Sequence, residues 1–473
     1  MPLPVITATQ MRAWESATWS AGQNEDSVIL QVGQKIAARA RQLAREDATL
    51  LILAGQGHNG DDARAAARFL AGRPITVMDL FHPETDQEAL ETALSARPGL
   101  IIDGLFGLGL NRPLSDAWQK IIHLINASGI PILAIDVPSG LDADTGETFG
   151  AVIRADLTLT VGAPKTGLLA PSAWPFVGRL EVLEEVGLVP CPCASEFLWT
   201  QPTDFEAFPP ARPSAGHKGD FGHALIVAGS MGFHGAAVLA ARGAQRAQPG
   251  LITVFTQEEV YPVIAAQLQS TMLNLWTPEL KFPATGSSIL AGPGLAAPEL
   301  PAELRIIFRH WWRDWEHPLV VDASGLDLLG NEAFAKRFIR VLTPHPGEAA
   351  RLLNANSKKV QADRSKTLRE LSRRFGNCWV VLKGQHTLIG RSEGEIFVNS
   401  SGNPYMAQGG SGDLLAGFIA GLLAQPALQT EVAKTLRYAV WQHGAAADRL
   451  QATSANWTVE DLATEIGKSR ITI

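Results

Sequence analysis

A run of glycines directly before an aspartate is the segment of the chain best suited to hold an anion. Residues 408–413 read Gln-Gly-Gly-Ser-Gly-Asp and precede an apolar helix predicted over 414–423. Consecutive glycines let backbone N–H groups turn toward one anion, and a helix N-terminus adds about half a positive charge there. Asp413, in the first turn, can stay ionised beside that dipole and accept a hydroxyl proton while the site holds a phosphoryl group. A glycine loop that only permits tight packing is the alternative.

Three further segments follow predicted strands of the second half and are suited to ligand contacts. Gly292-Pro293-Gly294 lets backbone approach a ligand closely, and residues 383–387, Lys-Gly-Gln-His-Thr, offer backbone, lysine and hydroxyl groups to a nucleotide. Residues 343–348 place His345 toward a cleft and Glu348 near a helix N-terminus. An ordinary loop histidine and a helix-capping glutamate are the alternatives for these two residues.

The first half carries a comparable set of polar strand ends. Residues 55–62 read Gly-Gln-Gly-His-Asn-Gly-Asp-Asp between a strand and a helix, and two further strands end at Asp103 and Asp136. Asn59, Asp103, Asp136 and Ser139 could place carboxylate, amide and hydroxyl oxygens around one hard cation. Capping or turn formation is the alternative for the two aspartates.

Alternating strands and helices must position these residues, which predicts an α/β fold with parallel sheets and helices on both faces. Ligands of such sheets bind beyond the carboxyl ends of the strands. Helices are predicted at 10–19, 28–43, 63–70 and 118–126. Strands are predicted at 49–54, 75–78, 100–103, 132–136 and 157–161, and again at 224–228, 251–255, 288–291, 319–322, 341–343 and 379–383.

The length of 473 residues exceeds the usual limit of one hydrophobic core. Prolines cluster over 191–213, so we expect a Rossmann-like domain over 1–190, a linker over 191–213 and a second α/β domain over 214–473. The net charge is −7 and no basic run occurs, so we expect no nucleic-acid partner. We expect no membrane partner and no signal peptide, and three cysteines are typical of a cytoplasmic location.

Together, the motifs of residues 214–465 resemble the ribokinase-like superfamily, specifically its ADP- or ATP-dependent NAD(P)H-hydrate dehydratases. Further matching segments are 217–223, 228–236, 291–295 and 403–406. The resemblance implies that Asp413 deprotonates the C6 hydroxyl of the hydrate, which takes a phosphoryl group with the help of Mg²⁺ and then loses phosphate. One departure is Ser324, where the family often has a second acid. The implied substrate contacts are Ala236, Gly294, His345 and Asp413, and the implied contacts to the AMP part of the nucleotide are Lys383, Gly384, Gln385, His386, Thr387 and Gly412.

Residues 10–190 resemble the NAD(P)H-hydrate epimerase domain that many prokaryotes fuse to the dehydratase, most specifically at 136–140 and 144–146. The resemblance implies K⁺ binding by Asn59, Asp103 and Ser139, with Asp136 as the acid/base that inverts C6. The family pattern Asn-Asn-Gly-Gly-Asp-Gly is altered at 58–63, where Asp61 adds a charge near the expected phosphate. The implied substrate contacts are His58, Asn59, Gly60, Asp61, Asp62, Gly107, Leu108, Gly109, Leu110, Asn111, Arg112, Pro113 and Asp136.

The sequence therefore predicts a bifunctional repair enzyme for hydrated nicotinamide cofactors, NADHX and NADPHX. It would interconvert the R and S hydrates and dehydrate the S form with ADP or ATP, releasing AMP or ADP and phosphate. By resemblance the chain forms a homo-oligomer. Two alternatives stay open: a ribokinase-like small-molecule kinase with a stable phosphorylated product, and a dehydratase whose first domain is a catalytically silent binding module.

Overall fold

The computed structural model describes residues 1–277, 279–297, 303–330, 334 and 337–468. The chain divides into two compact units: an N-terminal unit, Leu3–Glu196, and a C-terminal unit, Phe197–Ile473 together with Met1–Pro2. In the described ranges, no helix is both long enough and apolar enough to cross a membrane.

The N-terminal unit is built on a parallel sheet in the order β3-β2-β4-β5-β6-β7. Alternate residues of β2 enter two separate buried clusters: Leu50 and Ile52 pack with helices α1 to α3, and Leu51 and Leu53 pack with α4 and α5. Side chains of a strand point to opposite faces in turn, so this split places helices on both faces of the sheet. The elements are β1 (Leu3–Pro4), α1 (Ala8–Ser20), α2 (Glu25–Leu43), β2 (Leu50–Ala54), α3 (His58–Phe69), β3 (Ile75–Asp79), α4 (Pro83–Ser95), β4 (Leu100–Gly104), α5 (Asp116–Ala127), β5 (Ile132–Ile135), β6 (Leu157–Val161), α6 (Trp174–Val177) and β7 (Arg179–Leu183).

The sheet of the C-terminal unit runs in the order β8-β17-β16-β15-β14-β13-β12-β9-β10-β11. It is parallel except that β16 lies antiparallel between β15 and β17. Helices α7, α13, α15 and α16 share one buried cluster with its central strands. The elements are β8 (Phe197–Trp199), β9 (His223–Val227), α7 (His234–Ala247), β10 (Leu251–Thr256), α8 (Tyr261–Ala265), β11 (Met272–Leu275), β12 (Ser288–Ala291), α9 (Glu303–Asp314), β13 (Leu319–Val321), β14 (Arg340–Leu342), α10 (Pro346–Leu352), α11 (Ser357–Ala362), α12 (Arg364–Arg374), β15 (Trp379–Leu382), β16 (Leu388–Gly390), β17 (Ile396–Val398), α13 (Ser411–Leu423), α14 (Pro426–Gln429), α15 (Val432–Thr453) and α16 (Val459–Glu465).

Two glycines bring α13 close against α7. A Cβ on Gly417 would lie 1.9 Å from the carbonyl oxygen of Ala240, and one on Gly243 would lie 2.1 Å from that of Leu414. Neither position has room for a side chain, so the two helix backbones pack directly on each other. This contact fixes the helix whose first turn carries Asp413.

Part of the proline-rich stretch is ordered structure of the C-terminal unit rather than free linker. Residues 197–199 form strand β8, which pairs with β17, and Pro202–Phe205 is a 3₁₀ helix. The aromatic residues between the prolines explain the difference, because Phe205 and Phe208 are buried against Tyr438. Their burial stabilises a segment whose prolines alone indicate a linker.

Candidate active sites

The motifs predicted in the second half lie along one edge of the C-terminal sheet. Strands β12 to β15 are parallel neighbours in register, with Ala291 opposite Val321 and Val321 opposite Leu342. Their carboxyl ends therefore meet at the same edge, where ligands of parallel sheets bind. The residues that follow these four strands are Gly292, Asp322, Thr343 and Lys383.

The glycine run forms the N-terminus of α13, as its composition predicts. Gly410 is the N-cap residue with φ +93°, a left-handed conformation that favours glycine, and a Cβ there would meet the Leu239 side chain at 2.3 Å. Asp413 lies in the first helical turn, where backbone N–H groups have no partner within the helix. The local structure is therefore suited to an anion beside a carboxyl group.

Asp413 is a weaker acid than an exposed aspartate. Burial, and then the neighbouring carboxylates Asp322 and Glu348, raise its pKa to about 7, while Lys383 acts in the opposite direction. The desolvation and like-charge effects exceed the helix dipole that we expected to keep it ionised. A carboxyl group with this pKa can both accept and release a proton near neutral pH, which suits a general base.

Lys383 places its ammonium group within this carboxylate cluster. Its Nζ lies 2.8 Å from Asp322 Oδ1 and 4.0 Å from Glu348 Oε2. A Cβ on Gly412 would lie 3.1 Å from the same Nζ, so the lysine reaches the first turn of α13. Burial acts to lower the pKa of Lys383, but the neighbouring carboxylates outweigh it and the pKa is raised. The lysine is therefore a fixed positive charge at the place suited to phosphoryl transfer.

His345 and Glu348 form a reciprocal cap at the start of α10. His345 Nδ1 accepts from the Gly347 N–H at 2.9 Å, and Glu348 Oε2 accepts from the His345 N–H at 2.7 Å. Glu348 therefore caps α10, as the alternative proposed, and it also lies near the ammonium group of Lys383. The His345 side chain is half exposed, with Nε2 3.5 Å from Glu348 Oε1.

Ala236 and Gly294 are neighbours, as a shared substrate contact would require. A Cβ on Gly294 would lie 3.0 Å from the Ala236 Cβ and 2.5 Å from the Phe233 carbonyl oxygen, and its φ is +67°. The buried Ser230 hydroxyl donates to the Gly294 carbonyl at 2.6 Å. Gly294 is therefore held in a conformation that leaves no room for a side chain beside α7.

The loop that follows β15, residues 383–387, is held from behind by Arg364. This arginine begins α12 and donates to the carbonyls of Leu382 at 3.0 Å and Lys383 at 3.2 Å. His386 has φ +49° and a buried ring, and desolvation lowers its pKa to about 4, so the ring is neutral at physiological pH. Arg364 carries no sequence signal of this role, because an arginine at the start of a helix does not indicate which carbonyl groups it will meet.

A cavity of about 1100 Å³ lies at the carboxyl ends of β2, β4 and β5 in the N-terminal unit. Asp136 lines it, together with the apolar side chains of Trp19, Phe81 and Trp118. The structure brings together most of the predicted epimerase contacts, although neither Gly60 nor Asp61 reaches the wall of the cavity. The predicted residues that line it are His58, Asn59, Asp62, Gly107, Leu108, Gly109, Leu110, Asn111, Arg112, Pro113 and Asp136.

Asp61 and Gly60 face away from this cavity for identifiable reasons. Asp61 Oδ1 pairs with Arg64 at 3.0 Å, so its charge is directed toward a cation on its own helix. A Cβ on Gly60 would lie 2.0 Å from the Gly55 carbonyl oxygen, so Gly60 serves close packing. The altered loop therefore adds no acidic side chain to the cavity wall, although the Asp61 charge contributes, after burial and Asp136, to the raised pKa of Asp62.

Asp136 is held by a buried lysine that the sequence analysis missed. Asp136 has φ +60°, and its Oδ1 accepts from Lys165 Nζ at 2.5 Å, Thr160 Oγ1 at 3.1 Å and the Val161 N–H at 3.0 Å. Lys165 Nζ also donates to the Val161 carbonyl at 2.8 Å, and the lysine is fully buried. All three of these donors meet Oδ1, which leaves Oδ2 available to the cavity.

Two further acids surround the same cavity. Burial and the nearby Asp136 raise the pKa of Glu15 on α1, and the same two causes, in that order, raise the pKa of Asp62 on α3 well above its usual range. Carboxyl groups that share a cavity disfavour one another's ionisation. Lys165 opposes this effect at both residues.

Asp103, Ser139 and Asn59 form a compact set of buried oxygens beside Asp136. Ser139 Oγ donates to Asp103 Oδ1 at 2.7 Å, and Asn59 Nδ2 donates to the Phe106 carbonyl at 2.8 Å. Burial raises the pKa of Asp103 to about 6, against the hydrogen bonds from Ser139. No cluster of three or more His, Cys, Asp or Glu side chains suited to a metal occurs in the described ranges.

Comparison with known proteins gives a consistent result for both units. Residues 224–471 match the family model described as NAD(P)H-hydrate dehydratase, and residues 25–95 and 78–167 match that of the YjeF-related protein N-terminus. A bifunctional NAD(P)H-hydrate repair enzyme Nnr from Gloeobacter violaceus is 33% identical over 492 residues, covering 95% of this chain and 94% of the relative. The protein of the same name from Escherichia coli K12 is 33% identical over 457 residues, with 90% and 85% coverage.

A solved structure resembles the second half of the chain. It is a ribokinase-like superfamily protein from Enterococcus faecalis V583, 26% identical with a TM-score of 0.50, and the match covers 59% of this chain and 96% of that one.

Proposed function

The chain belongs to the family of bifunctional NAD(P)H-hydrate repair enzymes, and from that premise we propose how its residues carry out the two reactions. The family activities are epimerisation of the hydrated cofactor and its dehydration with a nucleoside phosphate. The C-terminal unit carries the dehydratase and the N-terminal unit carries the epimerase. We propose that the boundary between the two domains follows the division into compact units, between Glu196 and Phe197.

The dehydratase reaction centres on Asp413. Its carboxylate takes the proton from the C6 hydroxyl as that oxygen attacks the terminal phosphorus of the nucleotide, and the bond from phosphorus to the AMP (or ADP) leaving group breaks. Loss of phosphate with the C6 oxygen, and of a proton from C5, then restores the dihydronicotinamide. Phosphorylation is useful because it converts hydroxide, a poor leaving group, into a good one. The observation that carries this proposal is the position of Asp413 in the first turn of α13, beside the pair of Lys383 and Asp322, and its pKa of about 7 is consistent with a general base.

Lys383 is proposed to bind the transferring phosphoryl group rather than only the AMP part. Its ammonium group lies among Asp322, Glu348 and the first turn of α13, which supports a role at the phosphate end of the nucleotide. The rest of the loop, Gly384 to Thr387, would hold the AMP part together with Gly412. Ala236, Gly294 and His345 would contact the hydrate beside Asp413.

The proposed Mg²⁺ fits this site through carboxylates and nucleotide phosphates. Mg²⁺ in phosphoryl-transfer enzymes commonly takes one or two carboxylates and completes its shell with phosphates and water. Asp322 and Glu348 are the carboxylates suited to this, since both lie beside Lys383. When bound, the ion would neutralise charge that develops on the phosphoryl oxygens. The co-substrate is ADP or ATP.

The epimerase reaction is proposed to use Asp136 as the acid/base at C6. Its Oδ1 is occupied by three donors, and this supports a role in which Oδ2 faces the hydrate. K⁺ would be held by Asn59, Asp103 and Ser139, whose mixed oxygens suit a hard cation, and it would supply positive charge near the substrate. The epimerase would thereby convert the R hydrate into the S hydrate, which is the substrate of the dehydratase.

An assay with purified R hydrate and ADP tests the whole proposal. We expect NAD(P)H to appear far faster than spontaneous epimerisation of the hydrate allows, and AMP and phosphate to appear in equal amounts. Formation of NAD(P)H only at the spontaneous rate would leave the N-terminal unit as a silent module. A stable phosphorylated product from a different alcohol would favour the small-molecule kinase instead.

A further inference from the structure

A buried arginine fixes the backbone of the proposed nucleotide loop. Arg364 is 7% exposed, and its Nη2 donates to the carbonyls of Leu382 at 3.0 Å and Lys383 at 3.2 Å. Its Nη1 donates to the carbonyls of Gln385 and, at 3.3 Å, His386. One guanidinium therefore meets four carbonyls within five consecutive residues.

The position of Arg364 is costly for the fold. Desolvation lowers its pKa to about 10, so the group stays charged at neutral pH although it is buried. It is also the first residue of α12, where the helix dipole disfavours a positive charge. Charge-assisted hydrogen bonds to carbonyls offset part of this cost. We expect a buried charge of this kind where the backbone that it binds has a functional role.

The loop is shaped so that its N–H groups are available to a ligand. Gly384 has φ +132° and His386 has φ +49°, and these turns direct the carbonyls toward Arg364. Within the residues that the structure describes, the N–H groups of Gly384, Gln385 and His386 donate to no other backbone group. Unsatisfied N–H groups on a fixed loop are suited to phosphate and nucleobase acceptors.

We propose that Arg364 is a positioning residue for the nucleotide of the dehydratase. It holds the loop so that the N–H groups of residues 384–386 face the nucleotide. Arg364 itself touches neither nucleotide nor reacting atoms. The inference rests on the proposed function, in which this loop binds the AMP part.

The chain contains a matched control in Arg340. This arginine is 1% exposed, burial lowers its pKa to about 10, and it donates to the carbonyls of Trp312 at 2.6 Å and His317 at 3.1 Å. It begins strand β14, so it lies at the amino end of that strand, and the proposed active site lies at the carboxyl end. Arg340 therefore has the same type of structural contacts as Arg364 without access to the nucleotide loop.

The test compares Arg364→Lys with Arg340→Lys in the full chain. A lysine has three donors on one nitrogen and cannot bind four carbonyls in the arginine geometry, so we expect the dissociation constant and KM for ADP to rise at least about tenfold in Arg364→Lys. We expect kcat at saturating ADP to change less than about threefold, with no change in KM for the S hydrate. Arg340→Lys should lower the melting temperature and leave ADP affinity unchanged. Calorimetric titration with ADP and steady-state kinetics provide the measurements.

Gly384→Ala supplies a second variant that leaves the arginine and its helix intact. The new Cβ would lie 3.2 Å from Arg364 Nη2 at a φ that alanine rarely adopts, so it should separate the loop from the guanidinium and also weaken ADP binding. Wild-type affinity for ADP in either folded variant would overturn the inference. An equal loss of ADP affinity in Arg340→Lys would also overturn it. Failure of the wild-type protein to bind ADP would instead overturn the proposed function itself.

Discussion

The ionisation of Asp413 should set the pH dependence of the dehydratase reaction. The rise of its pKa from 3.8 to about 7 corresponds to a preference of about 4 kcal/mol for the neutral carboxyl group. Because a general base acts in its ionised form, kcat/KM for the S hydrate should increase as the pH rises through 7. Between pH 6 and pH 8 the ionised fraction grows about tenfold, and kcat/KM should follow it.

Substitution Asp322→Asn tests the cause of this pH dependence. After burial, Asp322 is the largest contribution that raises the pKa of Asp413, so its removal should lower that pKa. A like charge worth about 1.4 kcal/mol would move the titration of Asp413 about one pH unit lower, so that its ionised fraction would change only about twofold between pH 6 and pH 8. The rate itself should fall for other reasons, because Asp322 also contacts Lys383 and is a proposed Mg²⁺ ligand, so the titration of Asp413 in the metal-free protein is the relevant result.

The measurement is the ¹³C NMR titration of the Asp413 carboxyl group in the nucleotide-free and metal-free protein, from pH 5 to pH 9 for both proteins, together with kcat/KM of the wild type for the S hydrate at saturating ADP and Mg²⁺. A wild-type kcat/KM that is flat between pH 6 and pH 8, or an Asp413 titration that stays in place or moves upward in Asp322→Asn, would refute the reasoning.

Three further predictions concern the epimerase and the helix contact. Lys165→Met should lower the epimerase rate at least about tenfold and leave dehydration of the S hydrate unchanged, because the substitution removes the strongest donor to Asp136 Oδ1. The rate of conversion of the R hydrate tests this prediction, and an unchanged rate would contradict it. Replacing K⁺ by Li⁺ should slow epimerisation in the wild type, whereas Asp103→Asn should be slow in both salts; a wild-type rate that ignores the cation would exclude the K⁺ site. Gly417→Ala should lower the free energy of unfolding by about 1–3 kcal/mol, because its Cβ would lie 1.9 Å from the Ala240 carbonyl oxygen; denaturant unfolding measures it, and unchanged stability would contradict close packing of α7 on α13.

The sequence was sufficient to predict the parallel α/β fold and the strands that carry the site. Buried parallel strands read as continuous apolar runs, and each strand predicted from such a run overlaps an observed one. Strands β7, β8, β11, β16 and β17 were missed, because none of them is a continuous apolar run of the length that indicates a buried strand. Strands β16 and β17 form consecutive hairpins with β15, whereas β8 pairs with β17, which is distant in sequence.

The partners of the site residues could not be predicted from local patterns. Lys165 lies 29 residues after Asp136, and Arg364 binds carbonyls about 20 residues after it, so only the folded sheet brings these groups together. The sequence also could not show that Asp61 pairs with Arg64 and stays outside the cavity wall. The sequence could not show that burial and Asp322 raise the pKa of Asp413 to about 7, because both effects depend on residues brought together by the fold.

The most direct test of the central claim is a comparison of Asp413→Asn with the wild type on the pure S hydrate. Loss of the base should reduce the rate of NAD(P)H formation by about 10²- to 10⁴-fold while ADP still binds. The substitution should not lower the stability of the folded protein. Because the pKa of Asp413 is raised, its ionised form destabilises the folded state relative to its protonated form. This cost grows as the pH rises from 3.8 through 7 and reaches about 4 kcal/mol. At pH 8 we therefore expect an inactive variant that melts no lower than the wild type. A folded Asp413→Asn protein that dehydrates the S hydrate at the wild-type rate would contradict the account.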